Sequence, residues 1–184
     1  AFALLVCPMA ARAGFIPSDL PGLQIWLDAG DPNNTGTPPA PGTPIGTWKD
    51  KSGAGHDLVQ GWGDPNRYPT YQSTGIGGKP VVRFDGNDFL AGTNYDSNNP
   101  FTIFAVANME GTQNNRLITS YNINWLMGYW GNWEGVLHAD SWITDPGNAN
   151  GNTFSPSNTT PYLYSASNTG GPSYAFYKNG ADIT

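Results

Sequence analysis

Apolar residues along this chain come in short bursts, and no segment repeats them at helical spacing. Gly, Pro, Asn and Asp separate the bursts, which is the punctuation of strands and turns. The pattern predicts strands at Leu23–Leu27, Pro80–Phe84, Phe101–Ala107, Arg116–Tyr121, Tyr162–Ala166 and Tyr174–Lys178. Phe101–Ala107 is apolar on both faces, with Phe101, Ile103 and Ala105 alternating against Phe104 and Val106. A strand of that kind is expected to be covered on both sides, in the middle of a layered fold.

The connections are equally readable. Residues 32–47 carry five prolines and few apolar side chains, which predicts a long surface loop between strands. Residues 144–161 predict a second polar loop. No internal repeat is found. Asn179-Gly180 follows the burst ending at Lys178 and is a strong two-residue hairpin signal. Ala181–Thr184 then starts a return strand, so the expected sandwich is C-terminally incomplete.

Composition narrows the class. Glycine (24) and proline (16) together exceed a fifth of the 184 residues, which demands frequent turns. Aromatics at 13% exclude a disordered linker, because rings in that number need a core or a ligand. The formal net charge is -6, from 8 basic and 14 acidic residues. The basic residues are scattered singly, so neither a nucleic-acid-binding face nor an anionic membrane surface is expected. A neutral partner, or one bridged by a cation, suits this balance.

The first residues, A-F-A-L-L-V-C-P-M-A-A-R-A, read as an apolar run before a small-x-small site, too short to span a bilayer. Residues 1–13 are therefore expected to be the remnant of a secretory signal peptide, and 14–184 the exported domain. The alternative, a buried N-terminal strand, is disfavoured by Pro8. Cleavage after Ala13 would remove Cys7, the only cysteine, and with it any disulfide or thiolate site.

Several segments occur together in one order: Ile25–Ala29, Thr47–Asp57 (T-W-K-D-K-S-G-A-G-H-D), Gly78–Gly86 with Asp88–Leu90, Phe101–Val106 and Phe176–Gly180. The set resembles the laminin-G-like domain of the concanavalin A-like lectin and glucanase superfamily, in the form found in large exported bacterial proteins. It covers most of residues 22–180, and its order is more specific than any one motif. The resemblance implies an all-β antiparallel jelly-roll sandwich with further strands beyond Thr184. It also implies glycan or protein ligands, often with calcium, in a module beside catalytic or adhesive domains. Fold likeness alone does not carry function.

Three stretches are candidate sites. Asp50 and Asp57 bracket a Gly-rich turn and supply hard oxygen ligands that suit calcium. Asp85 and Asp88, with Asn87 between them, supply another such set. For the first, the stronger local reading is a tight turn capped by Asp50 and Asp57; for the second, it is a hairpin between strands 80–84 and 89–91 with Gly86 or Asn87 at positive φ. The third stretch is aromatic: Trp125, Tyr129, Trp130, Trp133 and Trp142, with His138 and Asp140, fall within 18 residues. Rings present flat faces to sugar C–H surfaces, and His and Asp meet hydroxyls, so this is the preferred glycan site. Strand alternation puts Trp125, Met127 and Tyr129 on one face and Leu126, Gly128 and Trp130 on the other, so some of these rings must be core.

Catalysis is not expected. The superfamily's glucanases place three carboxylates on one strand as Glu-x-Asp-x-x-Glu, whereas this chain has two glutamates, Glu110 and Glu134, and no such motif. Glu134 and Asp140 lie roughly 20 Å apart on a continuous strand, far beyond the ~5 Å of a retaining pair. The two histidines, His56 and His138, are isolated and make no zinc pattern. The expectation is a non-catalytic, secreted or cell-surface module that recognises a glycan or another surface ligand, with calcium as a candidate cofactor. Its rivals are a structural or adhesive spacer in a larger multidomain protein and a glycoside hydrolase.

Overall fold

The computed structural model describes residues 14–92, 100–110, 116–120, 123–130, 133–139, 141–144, 159–170 and 173–184, and the backbone of 152–153. Among these residues there is no α-helix, only three single-turn 3₁₀ segments. The strands of the N-terminal half are short: β1 (Thr47–Trp48), β2 (Leu58–Val59), β3 (Thr70–Gln72) and β4 (Val81–Arg83). The second half holds β5 (Phe101–Ala107), β6 (Ile118–Thr119), β7 (Trp125–Trp130), β8 (Trp133–Ala139), β9 (Ser141–Trp142) and β10 (Asn152–Thr153). It ends with β11 (Tyr162–Asn168), β12 (Tyr174–Lys178) and β13 (Ala181–Asp182).

Two antiparallel sheets carry the core. One runs β13-β12-β11-β5, the other β10-β8-β7-β6 with β9 paired to β8. β1-β2 and β3-β4 form two further small sheets. Rings bridge the two larger sheets. Phe101 of β5 meets Trp125 of β7 edge-on at 5.8 Å, and Tyr129 of β7 meets Tyr164 of β11 at 5.9 Å. Met127, Leu137, Ala166 and Phe176 fill the same cluster. Burying a side chain of this size contributes about 1.5–3 kcal/mol, so the interlocked rings fix the spacing of the sheets. The fold is therefore all-β, with two facing layers.

The hairpin signal at the C-terminal end sits where the sequence puts it. Asn179 (φ 52°) and Gly180 (φ 79°) join β12 to β13, with Lys178 opposite Ala181. Positive φ at both central residues is what a type I′ turn requires, and Asn-Gly adopts it at least cost.

Two expectations need correction. Leu23–Leu27 is not a strand; Leu27 makes one isolated bridge to Asp50. The segment is held instead by the Asp50 carboxylate, which accepts from Trp26 N, and by one backbone bond from Lys51 N to the Trp26 carbonyl at 2.8 Å. Phe101–Ala107 is a strand, but among the described residues it forms the edge of its sheet, paired only with β11. Its second face is open, with Phe104 65% and Val106 62% exposed. Apolar residues on both faces say that a strand tolerates cover, not that cover is present. Phe104→Ser is thus expected to change unfolding free energy by no more than about 0.5 kcal/mol in urea titration. A loss of about 2 kcal/mol would show that the face is covered.

A bulge re-aims one strand. Gly128 pairs with Val136 and Tyr129 with Glu134, leaving Gly135 (φ 72°) as the extra residue of β8. That additional residue shifts the alternation, so Glu134 shares the core side with Tyr129. There its Oε1 accepts a hydrogen bond from Lys178 Nζ of β12 at 3.1 Å. The Lys178 ammonium also lies over the Tyr162 ring, 3.7 Å from its centroid.

Candidate functional site

The aromatic stretch does not form one site. Trp125 and Tyr129 are 5% and 7% exposed and belong to the core, so both drop out of the preferred glycan site. The cause is their parity: they point at β5 and β11, and the opposing sheet covers them. The Tyr129 phenol is pushed well above its ordinary pKa, chiefly by burial, and so is that of Tyr164. Trp133 is half-buried. His138 packs its ring edge-on against Trp142 at 4.9 Å across the β8–β9 turn, and its Nδ1 meets the Asn124 carbonyl. This pair lies beside Leu126, four residues or about 13 Å along the ladder from Trp130. Asp140 lies outside the described residues.

The two acidic loops do different work. Asp50 is the hub of the N-terminal half. Its Oδ1 accepts from Trp26 N (2.9 Å) and Ser52 N (2.8 Å), and its Oδ2 from His56 N (3.0 Å), with Ser52 Oγ at 2.7 Å. These fill the four acceptor positions of a carboxylate, so Asp50 has no lone pair left for calcium. Burial would raise its pKa, but these donors outweigh that and hold it at about 2. Asp57 accepts from Lys49 Nζ (2.6 Å) and Asp50 N (2.9 Å), and Lys49 holds its carboxyl below the usual range. Both carboxylates close the turn on segment 24–27 and do not assemble a metal centre. Among the described residues no three His, Cys, Asp or Glu side chains gather as metal ligands.

Asp85 and Asp88 close a turn in the same way. Asp85 N donates to Asp88 Oδ2 (2.9 Å), and Asn87 N donates to Asp85 Oδ1 (2.8 Å). Burial raises the Asp88 pKa, and the neighbouring Asp85 charge adds to the rise.

This turn forms one wall of an open cleft of about 460 Å³. Asn87, Asp88, Phe89, Arg116, Thr119 and Trp130 line it, together with Arg67 from the 3₁₀ turn Pro65–Arg67. Trp130 is 39% exposed and presents an indole to the cleft. The guanidinium of Arg116 lies over that indole at 4.9 Å. On the other side Arg67 lies over Trp62 at the same distance, and Trp62 meets Phe89 edge-on at 4.8 Å. The cleft thus offers flat aromatic surface, a carboxyl, an amide, a hydroxyl and two guanidinium groups within a volume suited to one or two small rings.

Of the candidates named from sequence, the structure brings Trp130 and Asp88 together here. It leaves Trp142 and His138 elsewhere and turns Trp125 and Tyr129 inward. Asn87 comes with Asp88 from the same candidate turn, whereas Arg67, Arg116, Trp62 and Thr119 carry no motif, because they come from separate segments of the sequence. A scatter of single arginines in an acidic chain gives no linear signal. No protein-family model, curated protein or solved structure matches this chain. Among the described residues no helix is long and apolar enough to cross a membrane.

Proposed function

We propose that this chain is a non-catalytic, exported recognition module that binds carbohydrate in the cleft beside Trp130, and that its two sheets are those of a laminin-G-like jelly roll. The ordered motif set from Ile25 to Gly180 supports the jelly-roll reading. The single observation that carries the binding reading is an exposed indole at a cleft also lined by Arg67, Asn87, Asp88, Arg116 and Thr119, whose side chains bond hydroxyls. Sugar rings need both at once: an apolar plate for their C–H face, and donors and acceptors for their rim.

The hydrolase reading loses its best carboxylate. Glu134 is 2% exposed inside the sandwich and engaged by Lys178. The calcium-bridged form of binding loses Asp50, whose acceptor positions are taken by four donors, while Asp57 is engaged by Lys49 and the Asp50 amide. We take recognition to be direct, and it should survive EDTA.

Screening the protein on a glycan array, followed by calorimetry on the best ligand, tests this. Trp130→Ala should weaken binding at least tenfold, equivalent to about 1.4 kcal/mol, while keeping the fold, because the ring is partly exposed. Trp142→Ala, equally exposed but at the other end of the ladder, should leave affinity unchanged. Absence of binding to any glycan would favour the spacer reading. Equal losses from the two variants would remove the cleft as the site.

A further inference from the structure

We infer that the sugar bound in this cleft is anionic, with its carboxylate or sulfate received by Arg116. The inference rests on the carbohydrate reading above and specifies its ligand.

Arg116 is fixed in place by neutral partners. Its Nη1 donates to Thr119 Oγ1 and its Nη2 to Asn124 Oδ1, each at 2.9 Å, while its plane rests on Trp130. A guanidinium has five N–H donors. Two are used here, so three remain. No carboxylate among the described residues lies within 4.0 Å of it, whereas Lys49, Lys51, Arg67, Arg83 and Lys178 each have one. In a chain with 14 acidic and 8 basic residues, a cation that lines a cleft yet pairs with no carboxylate among the described residues, not even the Asp88 that lines the same cleft, is unusual. Lys79 is the other described cation with no carboxylate at that distance, and it does not line the cleft.

Order and charge together make a receptor. The indole and the two neutral acceptors hold the guanidinium before any ligand arrives, so little ordering entropy remains to be lost on binding. The spare N–H groups match the two oxygens of a carboxylate or sulfate, and such charge-assisted bonds are the strong ones. Arg67 adds a second guanidinium on the same cleft. Its carboxylate contact is long, 3.5 Å from Nε to Asp64, which leaves its Nη groups for a ligand. The overall charge of -6 disfavours anions at long range, but at 0.15 M salt fields fade within about 8 Å, and local groups decide.

The test is calorimetry on the full chain with three probes of similar length: oligogalacturonate, its fully methyl-esterified form and a carrageenan oligosaccharide, which carries sulfate and no carboxylate. Oligogalacturonate or the sulfated probe should bind at least tenfold more tightly than the ester, and which of the two binds better separates carboxylate from sulfate. Arg116→Gln should erase that preference, Arg116→Lys should restore part of it, and circular dichroism should show each variant folded. Should Arg116→Gln not fold, the ester comparison on the wild type decides. Tight binding of the ester and of neutral oligosaccharides, unaffected by Arg116→Gln, would overturn the anionic ligand and leave the carbohydrate reading standing. No binding to charged or neutral glycans would overturn both. Anionic preference that persists in Arg116→Gln would overturn the role given to Arg116.

Discussion

Lys178→Met is expected to lower the unfolding free energy by about 3–5 kcal/mol, the usual cost of removing one partner from a buried ion pair. Glu134 is 2% exposed, and the bulge at Gly135 fixes its side chain on the core side of β8. Water cannot replace the ammonium that stands 3.1 Å from Oε1. Each kcal/mol moves the melting temperature of a chain this size by about 2–4 °C, so the midpoint should fall by ~10 °C. The lost charge, not the lost methylenes, is responsible, because Met keeps most of the side-chain volume. The double variant Glu134→Leu with Lys178→Met should therefore recover most of the stability, since an apolar pair in the same space is often as good as a buried salt bridge. If the double variant is as unstable as the single one, the pair is not the cause. The Tyr162 ring under the ammonium would then carry the effect through packing.

Which parts of this structure can be read from sequence follows from how local their causes are. The strands Phe101–Ala107, Tyr162–Asn168 and Tyr174–Lys178 are visible because alternation and β-branched or aromatic content act within a few residues. The Asn179-Gly180 turn is visible because the positive φ values are a property of the dipeptide. Leu23–Leu27 has the same apolar pattern, yet Asp50 ties Trp26 down through a carboxylate 24 residues away, and no ladder forms. The edge position of β5 depends on strand order, which long-range pairing with β11 decides. Parity correctly grouped Trp125 with Tyr129 but could not say which side of β7 the second sheet would cover. For Glu134, parity fails outright, because one glycine resets the alternation. The cleft is least legible of all. Trp130 and Asp88 could be named one at a time, but the guanidinium groups beside them come from distant turns, and only folding makes them neighbours.

Asp50→Asn is expected to cost about 2–4 kcal/mol at neutral pH and to flatten the acid limb of the stability profile. In the wild type, three backbone N–H groups and the Ser52 hydroxyl converge on one carboxylate. An amide has one oxygen, so at least one of those N–H donors must face an NH₂ group and lose its acceptor, at about 1–3 kcal/mol. The charge-assisted part of the other bonds weakens as well. The pH dependence has a definite sign. The folded pKa is about 2, below the ordinary 3.8, so the ionised carboxylate stabilises the fold above about pH 4. That contribution, on the order of 2 kcal/mol, fades as pH falls through 2. Urea titrations between pH 2 and 7 should show the wild type losing this increment on the acid side and Asp50→Asn lacking it. Because Asp50 holds Trp26, Ser52 and His56 together, the variant should also expose the amides of segment 24–27 to hydrogen exchange ahead of those in β11. An unchanged acid limb in the variant would mean that some other carboxylate held below its ordinary pKa, such as Asp57 or Asp31, governs acid stability, and that the hub at Asp50 only shapes the turn.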